Sequence, residues 1–156
     1  MTNPISVLLV ELLMSVDRII ESAKTATPIK DQWAPSTILG HVSDVDEQVW
    51  LVRLAQMVAA HRSGLTPPTH EWWEPNAAAT AQTYSSWTIE DASARLMAQR
   101  ISLLMALRDL SEIDWQAKAV HETLGEMDVR GFVIQVLSHD EEHRSSLVYS
   151  NPDLTL

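Results

Sequence analysis

Four stretches of this chain repeat their apolar residues at helical spacing, and any fold it adopts must bury those four stripes. The first runs from about Ile5 to Ala23, with Ile5, Leu8, Leu9, Leu12, Val16, Ile19 and Ile20 on one face, until Thr25-Ala26-Thr27-Pro28 stops it. The second opens at Pro35, whose fixed φ suits a first turn, and closes at Gly64, which suits the residue just past a last turn. Its stripe reads Ile38, His41, Val42, Val45, Val49 and Val52. The third begins at Thr88, with Asp91 as a weak capping-box partner, and presents Ala92, Leu96, Leu103, Leu107 and Leu110 before Asp114 and Trp115 interrupt it. The fourth follows Gly125 and continues to about Tyr149, before Asn151-Pro152, with Phe132, Val133, Val136, His139, Asp140, His143 and Leu147 facing inward. Only four glycines occur in 156 residues, in keeping with helix over sheet.

Amphipathic helices bury their stripes against one another, so the expected architecture is all-α: one four-helix-bundle domain spanning residues 1–156. The connection between the second and third helices, residues 65–87, is long for a compact bundle. Pro67, Pro68 and Pro75 oppose a long helix there, and His70, Trp72, Trp73 and Tyr84 populate it. It is expected to be a crossover that lets helices two and three run parallel, a cover over a site, or both.

Cysteine is absent, which excludes disulfides, thiolate metal ligands and a cysteine nucleophile. The formal charge of −10, with eleven scattered Lys and Arg residues, argues against a nucleic-acid partner. No run approaches the roughly 18 apolar residues of a membrane span. The start, Met-Thr-Asn-Pro-Ile, lacks a basic n-region, and Glu11, Asp17 and Arg18 soon break its apolar stretch; a cytoplasmic location is expected.

The chemistry lies on the stripes. His139-Asp140-Glu141-Glu142-His143 sets two imidazoles four residues apart on one helix face, a spacing at which both can bind one ion. Both continue an apolar stripe, and a buried imidazole needs partners for its ring nitrogens. His41 lies on the apolar stripe of another helix. Three such nitrogens make a metal-binding face with an open fourth position, the layout of catalytic rather than structural zinc. The zincin motif is excluded because it needs glutamate directly after its first histidine, where this chain has Asp140. A ferritin-type di-iron site needs Glu-x-x-His pairs on two helices, and the second copy is missing.

Two segments carry a family resemblance. Trp33-Ala34-Pro35-Ser36-Thr37-Ile38-Leu39-Gly40-His41-Val42-Ser43-Asp44-Val45-Asp46 resembles the second helix of the DinB/YfiT-like metalloenzyme superfamily. His121-Glu122-Thr123-Leu124-Gly125 followed by Val136-Leu137-Ser138-His139-Asp140-Glu141-Glu142-His143 looks like its closing helix. The name denotes a damage-inducible bacterial bundle family, not the DNA polymerase that shares it. The resemblance implies a four-helix bundle with a long crossover and one divalent ion held by His41, His139 and His143. Where many relatives have glutamate five residues after the first ligand, this chain has Asp46. The resemblance also implies a frequent homodimer, and either hydrolysis or transfer dependent on a low-molecular-weight thiol.

Among the remaining residues, Asp140 is the expected proton shuttle, while Asp44 and His121 are expected to support the ligands from behind, His121 from a loop. Glu142 reads as an ordinary solvated acid, and His61 and His70 as surface residues. Trp33 and Trp115 read as packing residues. Trp50, nine residues after His41, falls about 180° round an α-helix from it. Trp72 and Trp73 are placed to cap a pocket from the crossover. The metal is expected to be zinc or nickel, with iron or manganese also compatible with imidazole ligands. Two functions stay open: an enzyme acting on a small molecule through the metal's free position, or a non-catalytic, metal-stabilised or ligand-sensing dimer.

Overall fold

The computed structural model describes residues 4–149 and is predominantly helical. Helix α1 (Ile5–Thr25) matches the first stripe. Helix α2 (Pro35–Val45) starts on Pro35, passes through a π-helical turn at Asp46–Trp50, and continues as α3 (Leu51–Arg62). Gly64 then takes φ +64°, the left-handed conformation a glycine adopts at low cost after a helix end. Helix α5 (Ile89–Arg108) is capped as expected: the Thr88 side chain accepts the backbone N–H of Asp91 at 3.0 Å. Helix α6 (Val129–Tyr149) begins four residues after Gly125 instead of directly behind it.

That delay comes from elements the helical period does not register. Strands β2 (Lys118–His121) and β3 (Gly125–Asp128) form an antiparallel hairpin, and β1 (Thr69–His70) joins β2 in parallel. Gly125, at φ +78°, turns the hairpin. The chain is predominantly helical as expected, with a small three-stranded sheet in the order β1-β2-β3 added to the helices. The crossover supplies β1 and also a short helix, α4 (Ala77–Tyr84), capped by the Asn76 side chain on the N–H of Ala79.

The long helices bury two apolar clusters. One holds Leu8 and Leu12 of α1, Leu54 and Met57 of α3, Leu103 and Leu107 of α5, and Phe132 and Val136 of α6. The other holds Val16 and Ile19 of α1, Ile38 and Val42 of α2, Ala92 and Leu96 of α5, and Leu147 of α6. The order in which each helix meets the clusters shows that α2 and α5 run in the same sense, opposite to α1 and α6, as a long crossover requires. Burying each such aliphatic side chain contributes about 1.5–3 kcal/mol, which dominates the stability of the helical core.

Between the clusters lies a polar layer with one residue from each helical run: Ser15, Asp46, Arg100 and Asp140, all buried. Arg100 donates to Asp46 at 2.8 and 3.0 Å, to Asp140 at 2.7 and 2.9 Å, and to the Leu12 carbonyl at 2.9 Å. Ser15 donates to Asp140 at 2.8 Å. Burial works against the Arg100 charge, but Asp140 and Asp46 outweigh it and hold the guanidinium firmly protonated. Burial pushes the Asp46 carboxyl up against the pull of Arg100.

The π turn changes the register of the second stripe. Such a turn carries one extra residue, so side chains beyond it rotate relative to the α-helical count. Val52, expected inward, is exposed, whereas Trp50, expected on the far side, is buried in the first cluster. No described helix is long and apolar enough to cross a membrane.

Candidate metal centre

Helix α2 presents His41 and helix α6 presents His139 and His143, all from faces that otherwise carry core residues. One ring nitrogen from each lies within 4.8 Å of the other two, the one such grouping of His, Asp or Glu among the described residues. The Nε2 atoms of His139 and His143 are 3.1 Å apart. Two ligands of a tetrahedral zinc, each at 2.0–2.1 Å, stand about 3.3 Å from one another, so this separation fits a shared ion. The same distance admits an N–H···N hydrogen bond, but such a bond occupies only two of the three rings.

Electrostatics favour the neutral imidazoles that a metal requires. Burial, reinforced by His143, lowers the His41 pKa to about 4. Burial, with His143, His41 and Arg100 adding, lowers His139 to about 3. Burial also lowers His143, against the opposing pull of Glu142 and Asp140. The Nδ1 atoms of His41 and His139 are buried and have no hydrogen-bond partner among the described residues. Three uncharged imidazole nitrogens converging from two helices are the donor type and number that a divalent ion takes, and the residues present therefore fit one.

Tryptophans wall the centre. Trp33 lies against His41 at 5.1 Å between ring centroids, Trp73 stacks on it at 6.3 Å, and Trp50 meets His139 edge-on at 5.7 Å. Trp33 thus packs both in the core and on the site. The crossover contributes directly: Trp72 and Trp73 line a cleft of about 470 Å³ that also borders His139, Trp50, Arg53, His121 and Glu142.

The other sequence-selected residues are spread around this centre. Asp140 faces the polar layer and is fully engaged by Arg100 and Ser15. Asp44 accepts from the Tyr84 hydroxyl at 2.6 Å and from Arg95 at 3.0 Å, and makes no hydrogen bond to His41. His121 sits at the end of β2 instead of in a loop, its Nδ1 accepting the N–H groups of Thr123 and Leu124 across the hairpin turn. His61 is half-buried. His70 is not a surface residue: β1 pairs it with His121, it is 3% exposed, and both ring nitrogens lack partners. Burial, with Arg53 and His121 adding, lowers its pKa to about 4. Arg100 was missed although it sits four residues after Leu96 and three before Leu103, on the inward stripe of α5. A cation at that register, with buried aspartates available on other stripes, was the signal.

Comparison with known proteins agrees with this architecture. The family model of the DinB superfamily matches residues 10–147, and the chain belongs to that superfamily. Its fold is similar to the crystal structure of a histidine-to-alanine mutant of a mycothiol-dependent maleylpyruvate isomerase, with a TM-score of 0.64 at 13% identity. That match covers 99% of this chain and 68% of the other. No protein of curated function matches the sequence significantly.

Proposed function

We infer that this chain is a metal-dependent enzyme acting on a small molecule, with one divalent ion held by His41, His139 and His143 among the four long helical runs of a bundle. The observation that carries the reading is the convergence of three neutral imidazole nitrogens from two helices within 4.8 Å. Three ligands leave room for water or substrate, and the adjoining cleft offers a small molecule a place to lie. Zinc or nickel suits such a donor set best, with iron or manganese as alternatives. A bound ion of this kind lowers the pKa of a water or thiol and polarises a carbonyl.

The chain's own residues would do the rest. His139 borders the cleft and turns its ring toward the other two ligands. Trp50, Trp72 and Trp73 exclude water from the substrate's apolar body. Asp140 keeps its ion pair with Arg100 and so positions α6, the helix that carries two ligands; proton transfer falls to Glu142, which lines the cleft beside His139. Asp44 favours protonation of His41 electrostatically but is overruled by burial.

A thiol-dependent transfer or isomerisation is supported by the likeness to the mycothiol-dependent enzyme; with no cysteine in the chain, the thiol would come from a small cofactor. Hydrolysis is the alternative use of the same site, and the expected homodimer belongs to the same proposal. Cobalt-substituted protein titrated with a low-molecular-weight thiol distinguishes the routes. A thiolate-to-metal charge-transfer band is the expected result. A visible spectrum altered by small anions but not by thiol would leave hydrolysis, and one altered by neither would remove the open position and the enzyme reading with it.

A further inference from the structure

The main cleft carries a cation that the metal chemistry does not use. Arg53 projects from α3 into the cleft bordered by His139, and also borders a second hollow of about 320 Å³ that contains His70. In a chain of formal charge −10, the arginines of the core and rim are mostly paired: Arg100 with Asp46 and Asp140, Arg95 with Asp44 and Glu47, Arg62 with Asp114. Arg53 has no carboxylate within ion-pair distance among the described residues. It donates to the backbone carbonyl of Glu71 and lies 5.9 Å from the Trp50 ring centroid. Burial lowers its pKa with nothing opposing. Trp50, on the same wall, is 4% exposed and keeps a buried indole N–H without a partner.

We propose that Arg53, backed by the Trp50 ring, is the anchor for the carboxylate of the molecule that occupies the cleft, so that the ligand is a small organic acid with one end on α3 and the other toward His139. A half-buried guanidinium offers two parallel N–H donors to one carboxylate, a geometry stronger than a point contact and selective for a planar anion. One cation matches one carboxylate; a phosphate dianion would call for further donors, and the charged residue at the His139 end is Glu142, which repels an anion from that wall. The cleft's remaining lining is largely apolar, including Val49, Trp72, Leu124 and Ile134, and suits a hydrocarbon body between the two ends. His70 stands behind Arg53 and is held neutral partly by it, so it adds no competing charge.

This inference rests on reading the cleft as a small-molecule site, and its test is arranged to be independent of the metal. Acetate, phenylacetate and succinate are each titrated into metal-free full-length protein beside the matching neutral amide, with tryptophan fluorescence and ligand NMR as readouts. At least one acid is expected to bind about 10- to 100-fold more tightly than its amide, the size of a hydrogen-bonded charge contact. Arg53→Gln should erase that preference while leaving amide binding, melting temperature and zinc stoichiometry as in the wild type. Arg53→Lys should reduce the preference without erasing it, and it covers the case in which the glutamine variant folds poorly. A merely structural Arg53, tethering the Glu71 segment, would weaken acid and amide alike. Wild-type protein that prefers none of the acids, or a preference that survives both substitutions intact, overturns the proposal. Failure of the metal centre would leave this titration unaffected, and failure here would leave the metal stoichiometry unaffected.

Discussion

Replacing Arg100 with methionine isolates the layer that divides the two apolar clusters. The substitution keeps much of the side-chain volume but deletes four hydrogen bonds to Asp46 and Asp140 and one to the Leu12 carbonyl. Asp46 and Asp140 are both fully buried, so water cannot replace the lost partner without opening the core. Removing one member of a buried ion pair typically costs 3–5 kcal/mol, and here one cation serves two carboxylates, which places the expected loss at about 4–5 kcal/mol. For a chain of this size that corresponds to a fall in Tm of roughly 10–15 °C. The loss should also acquire a pH dependence. Burial already pushes Asp46 up in the wild type, and without Arg100 it rises further, so the folded variant binds a proton that the unfolded chain releases near pH 4. The gap in stability between wild type and variant should therefore narrow as pH falls from 8 to 5, the buried histidines acting alike on both. Urea unfolding followed by circular dichroism at pH 8 and pH 5 reads both effects. A loss below about 1 kcal/mol, or one equal at the two pH values, would refute the claim that Arg100 neutralises a buried carboxylate pair.

Other consequences are equally concrete. In metal-free protein the depressed pKa values of His41 and His139 mean that the unfolded chain binds protons the folded one refuses between pH 6.5 and about 4, so stability falls with falling pH at about 1.4 kcal/mol per unit per histidine. A urea midpoint that stays flat from pH 7 to 5 would contradict this. Gly40→Ala places a Cβ 2.5 Å from the Tyr84 ring, which cannot retreat because Asp44 and Arg95 hold its hydroxyl. Despite alanine's helix propensity, the variant should lose about 1–3 kcal/mol, measured by thermal unfolding, and an unchanged Tm would show the contact to be soft. The π turn predicts that Val52→Asp is tolerated to within about 0.5 kcal/mol while Val49→Asp, which buries a charge, costs several-fold more; chemical denaturation of the pair checks the register.

How far the sequence announced this structure depends on the element. The first, third and fourth stripes lie where helical spacing put them, because burial of one face is a property that periodicity records directly. The histidines were legible for the same reason: an imidazole that interrupts no apolar stripe must itself face inward. The second run was legible only as far as Val49. A π turn depends on the packing of neighbouring helices and leaves no local signature, so α-helical counting puts Val52 inward and Trp50 on the face opposite His41. The strands were illegible because they are at most four residues long and contain residues, such as His70 and Gly125, that no alternation would select. His70 and His121 are buried through that sheet, and their partnership spans the crossover. Asp140 lies inward as its stripe suggests; Arg100 shares the inward register of α5, but which carboxylates it meets depends on four helices contributing to one polar layer.

The central claim is that His41, His139 and His143 hold one metal ion. Its most direct test is the metal content of protein purified without a histidine tag, by mass spectrometry, beside single alanine substitutions of the three residues. The account predicts close to one equivalent of a divalent metal per chain, or uptake of one equivalent of zinc or nickel by stripped protein, and loss of that equivalent in each variant with the helical fold retained. Wild-type protein that carries no metal and takes up neither zinc, nickel nor manganese, or variants that bind metal as the wild type does, would contradict it.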